Sequence, residues 1–350
     1  MRSVLDGIRR RSSARWGATL LVAALVGVAG CGSNGSGGSS GSGSGSSGGG
    51  GSSAAQAKVG LILAGPKNDQ SSNQDVYEKV SAAAGKLGAK LSVSESVPPS
   101  NSPQIIRSLA QQGYGIIGAM GAEYQKAVEQ VAPTFPKTKF IVLYGAPTTV
   151  SNVSSVSFDP HSTTYVDGVA AALMSKTGKI GIISGEDSDV FDQLVSGVRQ
   201  GVASVRKNGV VKVVFSGDYS DAQKNKEATQ TLIDGGTDVV MGYLDAGAAV
   251  MAKTAQSDGK WVIGLTGDAH AVAPKAVITS GITDIGRILA DTITKTAQGS
   301  FKGGQQQLFG LKEGYGGVGT FGDFVPQDVR NKVNAAAKGI KDGTIEVKAN

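Results

Sequence analysis

The sequence predicts an α/β protein made of two doubly wound parallel-sheet lobes joined by a hinge. Two observations point to it. Short apolar runs end in glycine and feed a polar loop followed by a helix-like segment. Runs with no polar alternation are strands covered on both faces, as in parallel sheets. These runs also repeat. Residues 58–65 (KVGLILAG) return as 179–185 (KIGIISG), 108–117 (SLAQQGYGII) as 231–240 (TLIDGGTDVV), and 139–143 (KFIVL) as 260–264 (KWVIG), at offsets of 121 to 123. Three pairs in one order mark an internal duplication, and two such lobes face each other across a cleft.

The elements follow in chain order. Strand 58–64 leads to a helix at about 73–87 and a strand at 89–97. Ser102 and Pro103 read as N-cap and first helical residue of a helix ending at Gly113. Strand 114–120, a helix at about 122–132 and strand 139–144 complete the first lobe, and 152–159 carries a further strand into a crossover. The second lobe opens with a helix at 161–176 whose Val166, Val169, Ala170 and Leu173 share one face. Strand 179–184, helix 188–206 and strand 210–216 follow. Ser220 is a suitable cap for a helix to 234, then come strand 238–243, helix 246–257 and strand 261–265. Strands alternating with helices at this spacing make parallel sheets with right-handed crossovers. Beyond Asp268 lie 275–279, a helix at about 282–298, strand 306–310, the segment 314–324, helix 326–338 and a last strand 344–347. These pieces cross back to the first lobe and again to the second. The expected domains are 58–158 plus about 271–300 for lobe 1, and 159–270 plus about 301–350 for lobe 2. Repeated crossings form a hinge that permits rigid-body closure.

The first thirty residues are a targeting segment. Arg2, Arg9, Arg10, Arg11 and Arg15 precede an apolar run over 16–29 that is too short to span a bilayer as a mature helix. It ends Val28-Ala-Gly-Cys31, small residues before a cysteine, the lipobox pattern in which Cys31 becomes a lipidated mature N-terminus; an ordinary secretory signal followed by a free cysteine is the alternative. The single cysteine excludes an internal disulfide framework and a cysteine-ligated metal site. Residues 32–57 are nearly all Gly and Ser, a flexible tether with an r.m.s. span of roughly 28 Å. Two nucleophile-elbow patterns, 37–41 and 45–49, fall inside this tract and are accidents of composition.

Several functions are excluded at this level. The targeting segment supplies four of the six net positive charges, and aromatics make up 5% of the chain, so there is neither an electrostatic footprint nor a stacking platform for nucleic acid. His161 and His270 have no partner spacing for a metal. No P-loop is present and no nucleophile–base constellation, so neither a catalytic residue nor a cofactor is expected. Residues 317–322 (GVGTFG) match the dinucleotide glycine pattern. They lie near the C-terminus, outside an opening βαβ unit, and read as a turn-rich strand pair.

Open parallel sheets bind ligands beyond the carboxyl ends of their strands. The tips here carry Asn68, Asp69, Asn73, Asp187, Asp189, Asp245 and Asp268 for hydrogen bonding, Tyr144, Phe191 and Tyr243 for stacking, and Thr266 beside Asp268. That mixture suits a small polar molecule. Each has an ordinary alternative role as a helix cap or solvated loop side chain, Asn73 in particular.

Residues 69–74 (DQSSNQ), 164–171 (TYVDGVAA), 178–185 (GKIGIISG), 216–221 (SGDYSD) and 238–242 (DVVMG) together resemble the basic membrane protein family. Its members are lipid-anchored solute-binding proteins of ABC importers with the type I periplasmic-binding fold, and purine-nucleoside receptors are its best-known branch. The resemblance covers nearly all of 58–350. It implies a lipid-anchored, extracytoplasmic, monomeric receptor that delivers a small solute to an ABC permease. A ligand-sensing lipoprotein that signals to a membrane receptor or kinase is the alternative, with the same fold and cleft. In the family an aspartate ends the first strand, where Leu63 stands here; the base-stacking ring is Ser72; the ribose-binding aspartate is Thr266, with Asp268 nearby; the late lysine is Thr283. The Asn73 position keeps its type. The resemblance therefore implies the architecture and a small polar ligand, nucleoside-like or sugar-like, while these departures argue against a purine nucleoside.

Replacing the lipidated residue, Cys31→Ala, is expected to release the protein from membranes without acyl chains. Fractionation with membranes and an acylated mass in that variant would contradict the lipobox.

Overall fold

The computed structural model describes residues 57–349, Gln70 excepted. The targeting segment, Cys31 and the tether lie outside the described residues. Among the described residues the first repeat begins with β1 (Lys58–Leu63), α1 (Ser72–Lys86), β2 (Lys90–Ser94), α2 (Ser102–Gln111), β3 (Ile116–Met120), α3 (Gln125–Val131), β4 (Lys139–Leu143) and β5 (Val153–Phe158). The second runs α4 (Pro160–Met174), β6 (Lys179–Ser184), α5 (Asp189–Val205), β7 (Val210–Phe215), α6 (Ala222–Asp234), β8 (Val239–Tyr243), α7 (Gly247–Ser257), β9 (Trp261–Gly264) and β10 (Val277–Thr283). The chain ends with α8 (Ile285–Ala297), β11 (Gln305–Phe309), β12 (Gly316–Val318) and α9 (Gln327–Lys341).

Two six-stranded sheets result, β11-β5-β4-β3-β1-β2 and β12-β10-β9-β8-β6-β7. All their ladders are parallel except β10 with β12. The central strands are buried from end to end, as their unbroken apolar runs require: β3 (IIGAM) is buried throughout, and β1 and β6 at all but the first residue. Helices cover both faces. α1 and α8 pack together on one face of the first sheet and α2 with α3 on the other; in the second lobe α4, α5 and α9 pack together, opposite α6 and α7.

The described chain crosses between lobes three times, at Asp159, at Asp284 and over residues 310–315. The crossings are tied to one another: Asp159 N donates to Phe309 O at 2.9 Å, and Asp284 N to Tyr315 O at 2.9 Å.

The lobe boundaries expected from sequence are corrected at two strands. Within 271–300, β10 belongs to the second sheet, where Val277 sits opposite Val262 of β9. Within 301–350, β11 belongs to the first sheet, where Gln305 sits opposite Ser154 of β5. β5 and β9 each present an open edge, and the next available strand pairs with it. Three local expectations also change. α6 is capped by Asp221, whose carboxylate accepts from Gln223 N and Lys224 N, rather than by Ser220. A 3₁₀ turn over Pro99–Asn101 precedes α2, so Asn101 is its N-cap and Ser102 lies inside the helix. The expected strand at 344–347 is absent. The tail instead runs beside α5, where the Gln200 amide accepts from Lys348 N at 3.0 Å and donates to Lys348 O at 2.9 Å. A side-chain amide takes the place of a neighbouring strand.

One buried group opposes folding. Asp167 of α4 is 1% exposed, lies beneath Gly281 of β10, and its Oδ2 has no hydrogen-bond partner among the described residues. Desolvation holds its carboxyl well above the usual carboxylate range. The folded state thus binds this proton more tightly than the unfolded chain does. Stability falls as pH rises from the unfolded carboxylate value, about 4, to the raised folded value, and the penalty is complete above that. Asp167→Asn is expected to raise the melting temperature at neutral pH by about 2 °C or more and to lose that part of the pH dependence. An unchanged melting curve from acid to neutral pH would show that the carboxyl is accommodated at no cost.

Candidate functional site

The ladder registers make the two repeats comparable. Val59, Ile116 and Lys139 are aligned across β1, β3 and β4, as Ile180, Val239 and Trp261 are across β6, β8 and β9. Counted from that line, Tyr144 and Thr266 occupy the same position beyond β4 and β9. Both adopt left-handed backbone, with φ of 64° and 66°, which costs a non-glycine residue about 1–2 kcal/mol. Such strain gathers where a fold must aim groups at a ligand, and here it recurs at the corresponding tip in each lobe.

Tyr144 and Tyr243 are the aromatic groups the two tips offer. Tyr144 N donates to Val156 O at 2.8 Å, and its ring meets Phe158 edge-on with centroids 6.3 Å apart. Desolvation pushes its hydroxyl well above the ordinary tyrosine value, and the nearby Tyr243 and Asp75 add to the effect. Tyr243 in the opposite lobe is raised by desolvation, Tyr219 and Asp245. Each hydroxyl is thus partly desolvated, and among the described residues neither has a protein hydrogen-bond partner.

Behind Tyr243 lies an aromatic stack. Phe191 lies nearly parallel to it at 6.5 Å, with Phe215 edge-on to Phe191 at 5.6 Å and Tyr219 edge-on to Tyr243 at 6.4 Å. Phe191 is 1% exposed, so it supports Tyr243 from the core. Sequence reasoning missed Tyr219. Its ring lies so close to the end of β6 that a Cβ on Gly185 would fall 2.6 Å from it, which explains the glycine that closes the second-repeat motif.

In the first lobe Asp69 and Asn73 form a closed loop network. The Asp69 carboxylate accepts from Ser71 N (2.8 Å), Gln74 N (3.1 Å), Asn73 N (3.3 Å) and Asn73 Nδ2 (2.8 Å). Asn73 Oδ1 accepts from Gly65 N at 3.1 Å. Burial opposes ionisation of Asp69, but the bonds from Asn73, Gln74 and Ser71 outweigh it and hold the carboxyl below its usual range. The side chains of Asp69 and Asn73 therefore shape the β1–α1 tip. Asp268 plays the same part opposite: it accepts from Thr320 N (3.0 Å), Thr320 Oγ1 (2.6 Å) and His270 N (3.0 Å). Asn68, Asp245 and Thr266 are exposed at the tips. Thr266 Oγ1 turns back to Leu265 O at 2.6 Å, and Asp245 N donates to Tyr219 O at 3.0 Å.

A second group absent from sequence reasoning links the tip to the hinge. Asp75, in the first turn of α1, accepts from Gly286 N at 3.0 Å and pairs with Lys79 at 2.7 Å; Lys79 also binds Asp284 in the crossing. In sequence, Asp75 and Lys79 look like an ordinary i,i+4 surface pair. Among the described residues no group of His, Cys, Asp and Glu has the arrangement to hold a metal ion.

Residues 56–350 match the family model described as ABC transporter substrate-binding protein PnrA-like. The chain belongs to this basic membrane protein family. An ABC transporter nucleoside-binding protein of Lactococcus lactis is 30% identical over 301 residues, covering 80% of this chain and 85% of that protein. A purine-binding protein of Brucella abortus is 28% identical over 294 residues, 82% of each chain. Among solved structures, an ABC transporter solute-binding protein from Aeropyrum pernix superposes with a TM-score of 0.68 at 19% identity, covering 84% of this chain and 94% of that one. The fold is the type I solute-binding fold, and the family is one of substrate-binding proteins rather than enzymes.

Because Asn73 holds both Gly65 N and the Asp69 carboxylate, Asn73→Ala is expected to lower stability by about 1–2 kcal/mol. Asp245→Ala, at an exposed tip, is expected to leave it unchanged. Equal denaturant midpoints for Asn73→Ala and the parent chain would show that the loop network contributes nothing.

Proposed function

We propose that the chain is the lipid-anchored, extracytoplasmic receptor of an ABC importer, which captures a small polar solute between the lobes and presents the closed form to its permease. The observation that carries this reading is the pair of partly desolvated hydroxyls without a protein partner, Tyr144 and Tyr243, contributed by strand tips of opposite lobes. Family membership and a hinge of three mutually bonded crossings support it. Binding that bridges the tips favours the closed arrangement by its differential affinity for it.

The ligand contacts proposed are the Tyr144 and Tyr243 hydroxyls with Asp245, Thr266 and Asn68 at the rim. Asp69, Asn73 and Asp268 hold the loops in place, and Phe191 backs Tyr243. Several features separate this site from a nucleoside site. Leu63 is fully buried in the β1 core and supplies no carboxylate. Ser72 supplies no ring. Thr266 and Thr283 carry hydroxyls where the family's nucleoside receptors carry charges. A charge-assisted hydrogen bond is worth about 1.5–3 kcal/mol, and stacking on a base about 1–3 kcal/mol. A hydroxyl-rich solute is the better match to what remains.

Calorimetry against a panel of nucleosides, free bases, pentoses and hexoses tests this. Adenosine, guanosine and inosine are expected to bind no tighter than about micromolar. For the panel member that binds best, Tyr144→Phe, Tyr243→Phe and Asp245→Ala are each expected to weaken binding about tenfold. Nanomolar binding of a purine nucleoside, or affinity indifferent to all three changes in folded variants, would overturn the proposal.

A further inference from the structure

A cavity of about 600 Å³ has none of the proposed strand-tip contacts in its lining. It opens beside the hinge, and its walls come from both lobes. Asp159 and His161 belong to the first crossing and the start of α4, and Glu313 to the third crossing. Leu308 comes from β11 of the first sheet, while Ile345, Glu346 and Val347 come from the C-terminal tail beside α5.

The lining has a definite chemistry. Three carboxylates, Asp159, Glu313 and Glu346, face a single ammonium, Lys312. His161 also lines the cavity. It is 5% exposed, its Nδ1 lies 3.4 Å from Asp159 Oδ1, and its buried Nε2 has no hydrogen-bond partner among the described residues. In the tautomer that donates to Asp159, Nε2 is a lone-pair acceptor with no donor. A buried polar atom left without a partner is costly, and the remaining need is for a donor. Leu308, Ile345 and Val347 supply apolar surface between these acceptors, and Leu308 is 44% exposed.

We propose that this hinge cavity is a second binding site, for an organic ammonium ion with an aliphatic body. The ammonium groups meet the carboxylates beside His161, and the methylene chain lies on the apolar wall. Since Leu308 and the tail belong to different lobes, the occupied site favours the arrangement in which those walls are adjacent. The site thus bridges the two lobes next to the crossings that join them.

The probe is cadaverine, compared with its neutral diol, pentamethylene glycol, titrated calorimetrically into the full mature chain. Cadaverine is expected to bind saturably and at least about tenfold more tightly than the diol, since the ammonium makes charge-assisted bonds. Glu346→Gln and Leu308→Asn alter exposed side chains and leave the fold intact by circular dichroism. Each is expected to weaken cadaverine at least about threefold, the first by removing charge and the second by removing the apolar wall of the opposite lobe. No saturable heat, equal affinity for the diol, or cadaverine binding unchanged in both variants would overturn the proposal. None of these outcomes bears on the solute site at the strand tips.

Discussion

The arrangement of the two lobes depends on the residue that carries the chain through its second crossing. Asp284 follows β10 and caps α8, accepting from Arg287 N. Its backbone N–H is bonded to Tyr315 in the third crossing, and its carboxylate binds Lys79 of α1 and Arg287 Nε. Burial raises its affinity for protons, but the bonds from Lys79 and Arg287 prevail and hold it below its usual range. The stability it contributes is therefore present above the unfolded carboxylate value and is lost as pH falls through the folded one. The same anchor includes Asp75, whose carboxylate sits where a Cβ on Gly286 would fall 2.5 Å away. The second crossing is fastened to α1, the helix that follows the β1 strand tip. The β1–α1 tip and the second crossing share one set of polar contacts.

Around that hinge the duplicated lobes share a backbone plan but have diverged in chemistry. Corresponding tips put Tyr144 and Thr266 in the same strained conformation. The glycine closing each first-strand motif makes room for a different neighbour, Asn73 beside Gly65 and Tyr219 beside Gly185. One lobe fixes its loop with an Asp–Asn network, the other with an aromatic stack. An asymmetric solute can be read by two related but unlike surfaces, and the strain at both tips is held by the sheets beneath them.

Much of the fold was legible because its strands are buried on both faces and so appear as uninterrupted apolar runs, which the duplication then doubled. The late strands were harder. Nothing local in Val277–Thr283 or Gln305–Phe309 says which sheet edge it will join, since the partners, β9 and β5, are chosen by open edges in three dimensions. At the site, tip position was readable but the job of each side chain was not. Asp69 and Asn73 satisfy one another, and Phe191 is sealed beneath Tyr243. The Asp75–Lys79 pair looked like routine helix decoration because its third partner, Asp284, lies 205 residues further along the chain. Leu63, Ser72, Thr266 and Thr283, by contrast, could be weighed from sequence, because what they lack is evident from residue type alone.

The central claim, that the interlobe cleft holds a small hydroxyl-bearing solute rather than a purine nucleoside, is tested most directly by mass spectrometry. Small molecules would be released by denaturing protein purified from its native host and then identified. A single non-purine polar compound, near one equivalent per chain and absent from the Tyr144→Phe, Tyr243→Phe double variant, is the expected result. A stoichiometric purine nucleoside, or the same compound retained by the double variant, would contradict it.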